Sequence, residues 1–208
     1  MTYFWTKNYF IELVLRDYYR KGRMNSTEYV LEKRFKEEHL SIFSRETVFA
    51  AQAVLSAALS IKTIDISSDV RTKEGVNNFV TAWDLASEKI IMDLIKKEYP
   101  NMPILSEESA PEMQDSLGEK ELWVIDPLDG TTNAFYNRGY SCIAMALVKH
   151  GKPYNCAVYN PTRDELFYAE RGIGTFLNGK KIKFDKEIDL NKASICADTA
   201  YDPSIILF

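Results

Sequence analysis

Apolar positions follow helical spacing in the first half of the chain and strand-like runs in the second. Phe10, Val14 and Tyr18 recur at i, i+4 with Leu13 beside them, and Lys7, Glu12, Arg16 and Arg20 fall between, a pattern that predicts an amphipathic helix. The charged stretch from Glu28 to His39 is also compatible with a helix. Residues 1–45 therefore read as an N-terminal helical extension suited to packing or to a dimer contact. From Arg45 to Lys62, an alanine-rich segment with Val48, Ala51, Val54, Leu55 and Ala58 predicts a helix buried on one face. Residues 63–79 are polar and turn-rich. A further helix is expected to start at Asp84, as N-cap, and to run through Ile90, Ile91, Leu94 and Ile95 to Tyr99, where Pro100 stops it.

Beyond Pro100 the pattern changes. Pro103–Leu105 reads as a short strand with Glu107 and Glu108 at its end. Leu122–Ile125 reads as a buried strand running directly into Asp126-Pro127-Leu128-Asp129-Gly130. Cys142–Val148, Tyr154–Tyr159 and Glu165–Ala169 follow as strands separated by turn residues, and Asn178-Gly179 signals a hairpin. Helices first and a meander of strands afterwards predict an α+β layered fold, with residues 46–208 forming the main domain.

Composition narrows the function classes. With 46% hydrophobic and 27% charged residues, the 208-residue chain has the mix of a soluble globular protein. A formal net charge of −4 argues against a nucleic-acid partner. Such an acidic chain needs cations if it is to handle phosphate esters. The three cysteines, Cys142, Cys156 and Cys196, have no CxxC spacing and read as reduced, small apolar residues. Only His39 and His150 are available for imidazole chemistry, and no GxSxG elbow is present. Glu12, Arg16 and Asp17 interrupt the aromatic N-terminus, and no run is apolar for long enough to span a bilayer. The expectation is a cytoplasmic protein without a membrane partner.

The chemistry concentrates in Trp123-Val124-Ile125-Asp126-Pro127-Leu128-Asp129-Gly130-Thr131-Thr132-Asn133. A buried strand ends in two carboxylates three residues apart, with Pro127 fixing φ and Gly130 permitting a tight turn. Such a turn can present two carboxylates and a backbone carbonyl to Mg2+, which prefers hard oxygen ligands. The amides of Gly130 and Thr131 would open a helix whose N-terminus suits a phosphate. Asp-Pro-x-Asp-Gly is also ordinary surface-turn chemistry. Two more acidic sites raise the weight of the catalytic reading: the glutamate pair of Leu105-Ser106-Glu107-Glu108-Ser109, and Asp84 at a strand-to-helix junction.

The ordered set Lys73…Val80-Thr81-Ala82-Trp83-Asp84, Ser106-Glu107-Glu108-Ser109 and Asp126–Asn133, followed by Arg171-Gly172-Ile173-Gly174-Thr175-Phe176-Leu177-Asn178-Gly179, resembles the inositol monophosphatase family. The likeness runs from about Val48 to about Asp198. It implies a layered α/β/α/β sandwich of the inositol monophosphatase and fructose-1,6-bisphosphatase type, and a Mg2+-dependent phosphomonoesterase acting on inositol monophosphate or a related sugar phosphate. Fructose bisphosphate and a 3′-phosphorylated nucleotide remain alternative substrates, and a non-catalytic metal-binding or dimerisation module remains the alternative of a different class. By the same resemblance, Glu107, Asp126 and the Leu128 carbonyl would hold one Mg2+, and Asp126 and Asp129 would share a second. Thr131, hydrogen-bonded toward Asp84, would help Glu107 deprotonate the attacking water. Asp129 and the amides of Gly130 and Thr131 would contact the substrate, and Lys73 would act near a mobile loop over a third, weaker ion. A homodimer is also implied.

Family members usually supply another metal-binding aspartate from a Trp-Asp-x-Ala-Ala segment well past the hairpin. Trp83-Asp84-Leu85-Ala86 matches it superficially but lies upstream of the glutamate pair. The resemblance therefore leads us to expect a fragment of a longer protein with an incomplete C-terminal layer, or a short form completed by another chain.

Overall fold

A computed structural model describes residues 42–72, 79–108 and 121–183. Helix α1 spans Arg45–Ile61, and a single 3-10 turn at Ile66–Ser68 leads into strand β1 at Val70–Thr72. Strand β2 (Phe79–Thr81) pairs antiparallel with β1 and runs straight into helix α2, Ala82–Glu98. Then come β3 (Ile104–Ser106), β4 (Leu122–Asp129), the short helix α3 (Thr131–Phe135) and β5 (Cys142–Lys149). The chain continues through β6 (Lys152–Asn160), β7 (Glu165–Glu170), β8 (Gly174–Leu177) and β9 (Lys180–Lys181).

Strands β3 to β9 form one seven-stranded sheet in sequence order. Among the described strands only β3 and β4 run parallel; every later pair is antiparallel, joined by short turns except β4 and β5, which α3 separates. His150, Asp164 and Asn178 adopt positive φ in these turns, joined by Gly151, Gly172 and Gly179.

Side-chain alternation gives the sheet two unlike faces. Trp123, Ile125, Ile143, Met145, Leu147, Ala157, Tyr159, Leu166 and Tyr168 are buried against the helices. Their neighbours Val124, Ala144, Ala146, Val158 and Phe167 line the other face and are half-buried. Helix α1 lies on the first face, against α2, β5, β6 and β7. Its alanines at 50, 51, 53, 57 and 58 are fully buried, so the helix axis can approach its neighbours closely, while Phe49, Leu55 and Ile61 fill the gaps. Each large apolar side chain so buried contributes roughly 1.5–3 kcal/mol.

The N-terminus of α1 is held by polar chemistry. Ser44 is its N-cap, and the Glu170 carboxylate at the end of β7 accepts from the Ser44 amide (2.8 Å), the Thr47 hydroxyl (2.5 Å) and the Tyr154 hydroxyl (3.2 Å). Phe43, just ahead of the cap, packs edge-on against Tyr168 and Phe176.

The mixed α+β architecture expected from the pattern is therefore present. Several boundaries differ, among them the start of α2, the end of β4 and the start of β6. Helix α2 starts two residues before Asp84, because Thr81 is its N-cap: Thr81 and Asp84 form a reciprocal capping box, with Asp84 in the third helical position. The expected N-terminal helices, Lys73 and Cys196 lie outside the described residues. Among the described residues no helix is long and apolar enough to cross a membrane.

Candidate metal and phosphate site

Strand β4 extends beyond the expected Ile125 through Asp129, and it carries a β-bulge. Asp126 pairs with Ala144 and Asp129 with Cys142, so three steps along β4 match two along β5. On a regular strand, residues three apart face opposite sides of the sheet. The extra residue corrects the parity, and both carboxylates stand on the same face as Ala144 and Cys142. Pro127, which lacks an amide donor, falls within the irregular stretch, where the ladder does not require one. The bulge thus turns a three-residue spacing into a pair of acids on one face.

Glu107 reaches this end of the sheet from the parallel neighbour. Ser106 is in register with Ile125, and the Glu107 amide donates to the Ile125 carbonyl at 3.3 Å. Glu107 therefore follows β3 where Asp126 follows Ile125 on β4. Glu107 and Asp129 are exposed and Asp126 is half-buried.

Electrostatics reflect the crowding. Burial first, then the charges of Glu107 and Asp129 and a hydrogen bond with Glu107, push the Asp126 carboxyl up to about 7; the Leu128 amide works against them. Two carboxylates in hydrogen-bond contact must share a proton or a cation. Among the described residues no three His, Cys, Asp or Glu side chains are gathered closely enough to hold an ion as they stand. The donor set is nonetheless oxygen-only and mutually repulsive, which suits a hard divalent cation and disfavours a soft one.

The other half of the site is the turn after β4. Gly130 has φ of +75°, and a Cβ there would lie 2.6 Å from the Tyr140 carbonyl oxygen, so only glycine fits. The Tyr140 carbonyl also accepts from Asn133 Nδ2 at 3.1 Å, which ties the turn to the start of β5. Thr131 opens α3, and its hydroxyl lies 2.9 Å from Asp84 Oδ1 and 3.0 Å from the Leu128 carbonyl. Having one proton, the hydroxyl donates to one of them at a time. Asp84 is 1% exposed; its other oxygen accepts from the Thr81 amide (2.8 Å) and hydroxyl. Burial raises its pKa, while the hydrogen bonds from Thr81 and Thr131 pull the other way.

Glu107, Asp126, Leu128, Asp129, Gly130, Thr131 and Asp84 are thus brought together at one end of the sheet, whereas Lys73 lies outside the described residues. Cys142, which the sequence marks only as a small apolar residue, also reaches the site. Its thiol donates to Asp129 Oδ2 at 3.6 Å, and burial, followed by the Asp129 charge, holds its pKa well above the ordinary thiol range. Only the bulged register places it there.

Residues 36–204 match the inositol monophosphatase family pattern. The chain belongs to the inositol monophosphatase family. Inositol monophosphatase 2 of Solanum lycopersicum is 36% identical over 137 residues, covering 64% of this chain and 52% of that protein. The crystal structure of extragenic suppressor protein suhB from Bartonella henselae superposes with a TM-score of 0.59 at 31% identity, covering 66% of this chain and 54% of that one. An inositol monophosphatase/NADP phosphatase complexed with Mg2+ and phosphate gives a TM-score of 0.55 at 28% identity, covering 61% and 48%. This chain spans about half the length of these relatives.

Proposed function

We propose that the chain carries the metal- and phosphate-binding half of a Mg2+-dependent phosphomonoesterase that hydrolyses inositol monophosphate or a related sugar phosphate. The observation that carries this reading is the convergence of Glu107, Asp126 and Asp129 beside the Thr131–Asp84 hydrogen bond. Glu107, Asp126 and the Leu128 carbonyl would hold one Mg2+; Asp126 and Asp129 would share a second, with a third, weaker ion near Lys73. Bound there, Mg2+ supplies charge neutralisation for the phosphate and acidifies a water at neutral pH.

The remaining work belongs to the chain's own side chains. With its proton committed to Asp84, Thr131 Oγ has lone pairs free to accept from the attacking water. Glu107 orients the same water and takes up its second proton interaction. The amides of Gly130 and Thr131, which open a helix and have no intrahelical acceptor, donate to phosphate oxygens. Water oxygen bonds to phosphorus as the ester P–O bond breaks, the water's proton passes to Glu107, and the alkoxide takes up a proton from solvent to leave as the alcohol. No covalent intermediate with the protein is needed. Asp129, on the shared face, would meet both an ion and the sugar hydroxyls.

Within this reading the protein works in the cytoplasm as a homodimer on a small phosphate ester. Phosphate release from inositol 1-phosphate, fructose 1,6-bisphosphate and adenosine 3′,5′-bisphosphate, with Mg2+ and with chelator, tests it. Metal-dependent turnover of the first above the others is expected. Folded protein silent on all three would leave the family fold standing and overturn turnover by this chain on its own.

A further inference from the structure

We infer that Glu88 is a positioning residue for Glu107, acting through Ser106 to set the affinity of the metal site. The inference rests on the metal-site reading above. Helix α2 makes two side-chain links one turn apart. Asp84 reaches the turn after β4 through Thr131, and Glu88, at i+4 on the same helical face, accepts from Ser106 Oγ at 2.5 Å. Ser106 is the last residue of β3 and immediately precedes Glu107.

Glu107 needs such a tether. Among the described residues, strand β3 has three residues, lies at the edge of the sheet and pairs only with β4. The backbone contact of Glu107 with β4 is the long 3.3 Å bond to Ile125. The loop carrying Asp126, Asp129 and Thr131 is by contrast fixed by the ladder to β5 and by Gly130 against Tyr140. Because Asp84 and Glu88 stand on one rigid helix, their two links hold the Glu107 segment and the Asp126–Thr131 segment at a set separation. An oxygen-ligand site for Mg2+ is unforgiving of that separation, since the ion demands near-octahedral geometry at short bond lengths.

The test is Mg2+ titration by calorimetry on the full chain for wild type, Ser106→Ala, Glu88→Ala, the double variant and Glu88→Gln, with amide exchange at Glu107 followed in chelator. Ser106→Ala and Glu88→Ala should each weaken Mg2+ binding about tenfold, the scale of partners that orient metal ligands. The double variant should be no worse than either single, because both remove one link. Glu88→Gln keeps an acceptor for Ser106 and should bind nearly as wild type. The Glu107 amide should exchange faster in both alanine variants without metal, while the chelator-treated proteins keep a cooperative melt. Normal Mg2+ affinity in Ser106→Ala, or additive losses in the double variant, would overturn the positioning role. Wild type that binds no Mg2+ would instead overturn the metal site itself, and the tether with it.

Discussion

The Thr131 hydroxyl lies 2.9 Å from Asp84 Oδ1, joining the turn after β4 to the first turn of helix α2 across 47 residues of chain. The Asp84 carboxylate does two jobs. One oxygen closes the capping box with Thr81, and the other competes with the Leu128 carbonyl for the Thr131 proton. The bland account of Asp84 as a helix cap and the catalytic one are therefore both compatible with its geometry.

Removing the hydroxyl separates the two. Thr131→Val should lower kcat by about 10²- to 10⁴-fold, the range for a positioned proton-transfer group, while Thr131→Ser retains most of it. Mg2+ affinity should change little in either, because the Leu128 carbonyl belongs to the backbone. Steady-state phosphate release with parallel Mg2+ titration would check the pair. A Thr131→Val enzyme of normal kcat would remove Thr131 from the reaction.

Gly130 is constrained twice, by a φ of +75° and by the Tyr140 carbonyl 2.6 Å from any Cβ. Gly130→Ala should cost about 1–3 kcal/mol for the left-handed backbone alone, and more for the backbone clash. Thermal melts should show the loss, and phosphate affinity should fall with it as the α3 amides shift. Gly172, at φ +81° with nothing within 4 Å of a Cβ, is the control: Gly172→Ala should meet the backbone strain without the clash.

Local rules made much of this legible in the sequence, but long-range register was not. Alanine-rich periodicity located α1 to within a residue, and apolar runs between turn residues located β5 to β7 to within two. The acid-bearing motifs were visible because strand ends, prolines and glycines punctuate the chain locally. Thr81 and Asp84 are both good N-caps by residue type, and only the tertiary position of β2 decides between them. The bulge at Asp126–Asp129 was invisible for the same reason: it depends on how β4 meets β5, 13 or more residues away, and so did the Cys142 thiol against Asp129. Glu88 sits among ordinary helix-surface charges, and nothing in its neighbours along the chain signals that Ser106 is its partner.

Glu170 should dominate the acid sensitivity of the sheet–helix junction. Its hydrogen bonds from Thr47, Ser44 and Tyr154 outweigh the opposing effect of burial and leave its pKa below the ordinary 4.5. A depressed carboxyl contributes stability that is complete above the unfolded value and fades as pH falls through the folded one. Wild type should thus lose stability below about pH 4.5 more steeply than Glu170→Gln. Glu170→Ala should cost about 1–3 kcal/mol near neutrality by leaving the Thr47 hydroxyl and Ser44 amide without their acceptor. Denaturant melts from pH 3 to 7 would show both.

Asp126 should behave in the opposite sense. Its carboxyl, pushed from the ordinary 3.8 to about 7, takes up a proton on folding between those values. A raised pKa gives stability that is full below the unfolded value and lost as pH rises through the folded one. The metal-free protein should therefore melt higher at pH 5.5 than at pH 8. Mg2+ binds only the ionised carboxylate, so it must expel that proton, and saturating Mg2+ should reverse the preference. Calorimetry in buffers of different ionisation enthalpy should record proton release on Mg2+ binding at pH 6.5 and little at pH 8.5. Asp126→Asn removes both the repulsion and the proposed ligand: in chelator it should melt above wild type at pH 8, with a flatter pH profile, and Mg2+ should no longer raise its melting temperature. Wild type that binds Mg2+ with no proton release at pH 6.5 would show that the ion sits away from Asp126.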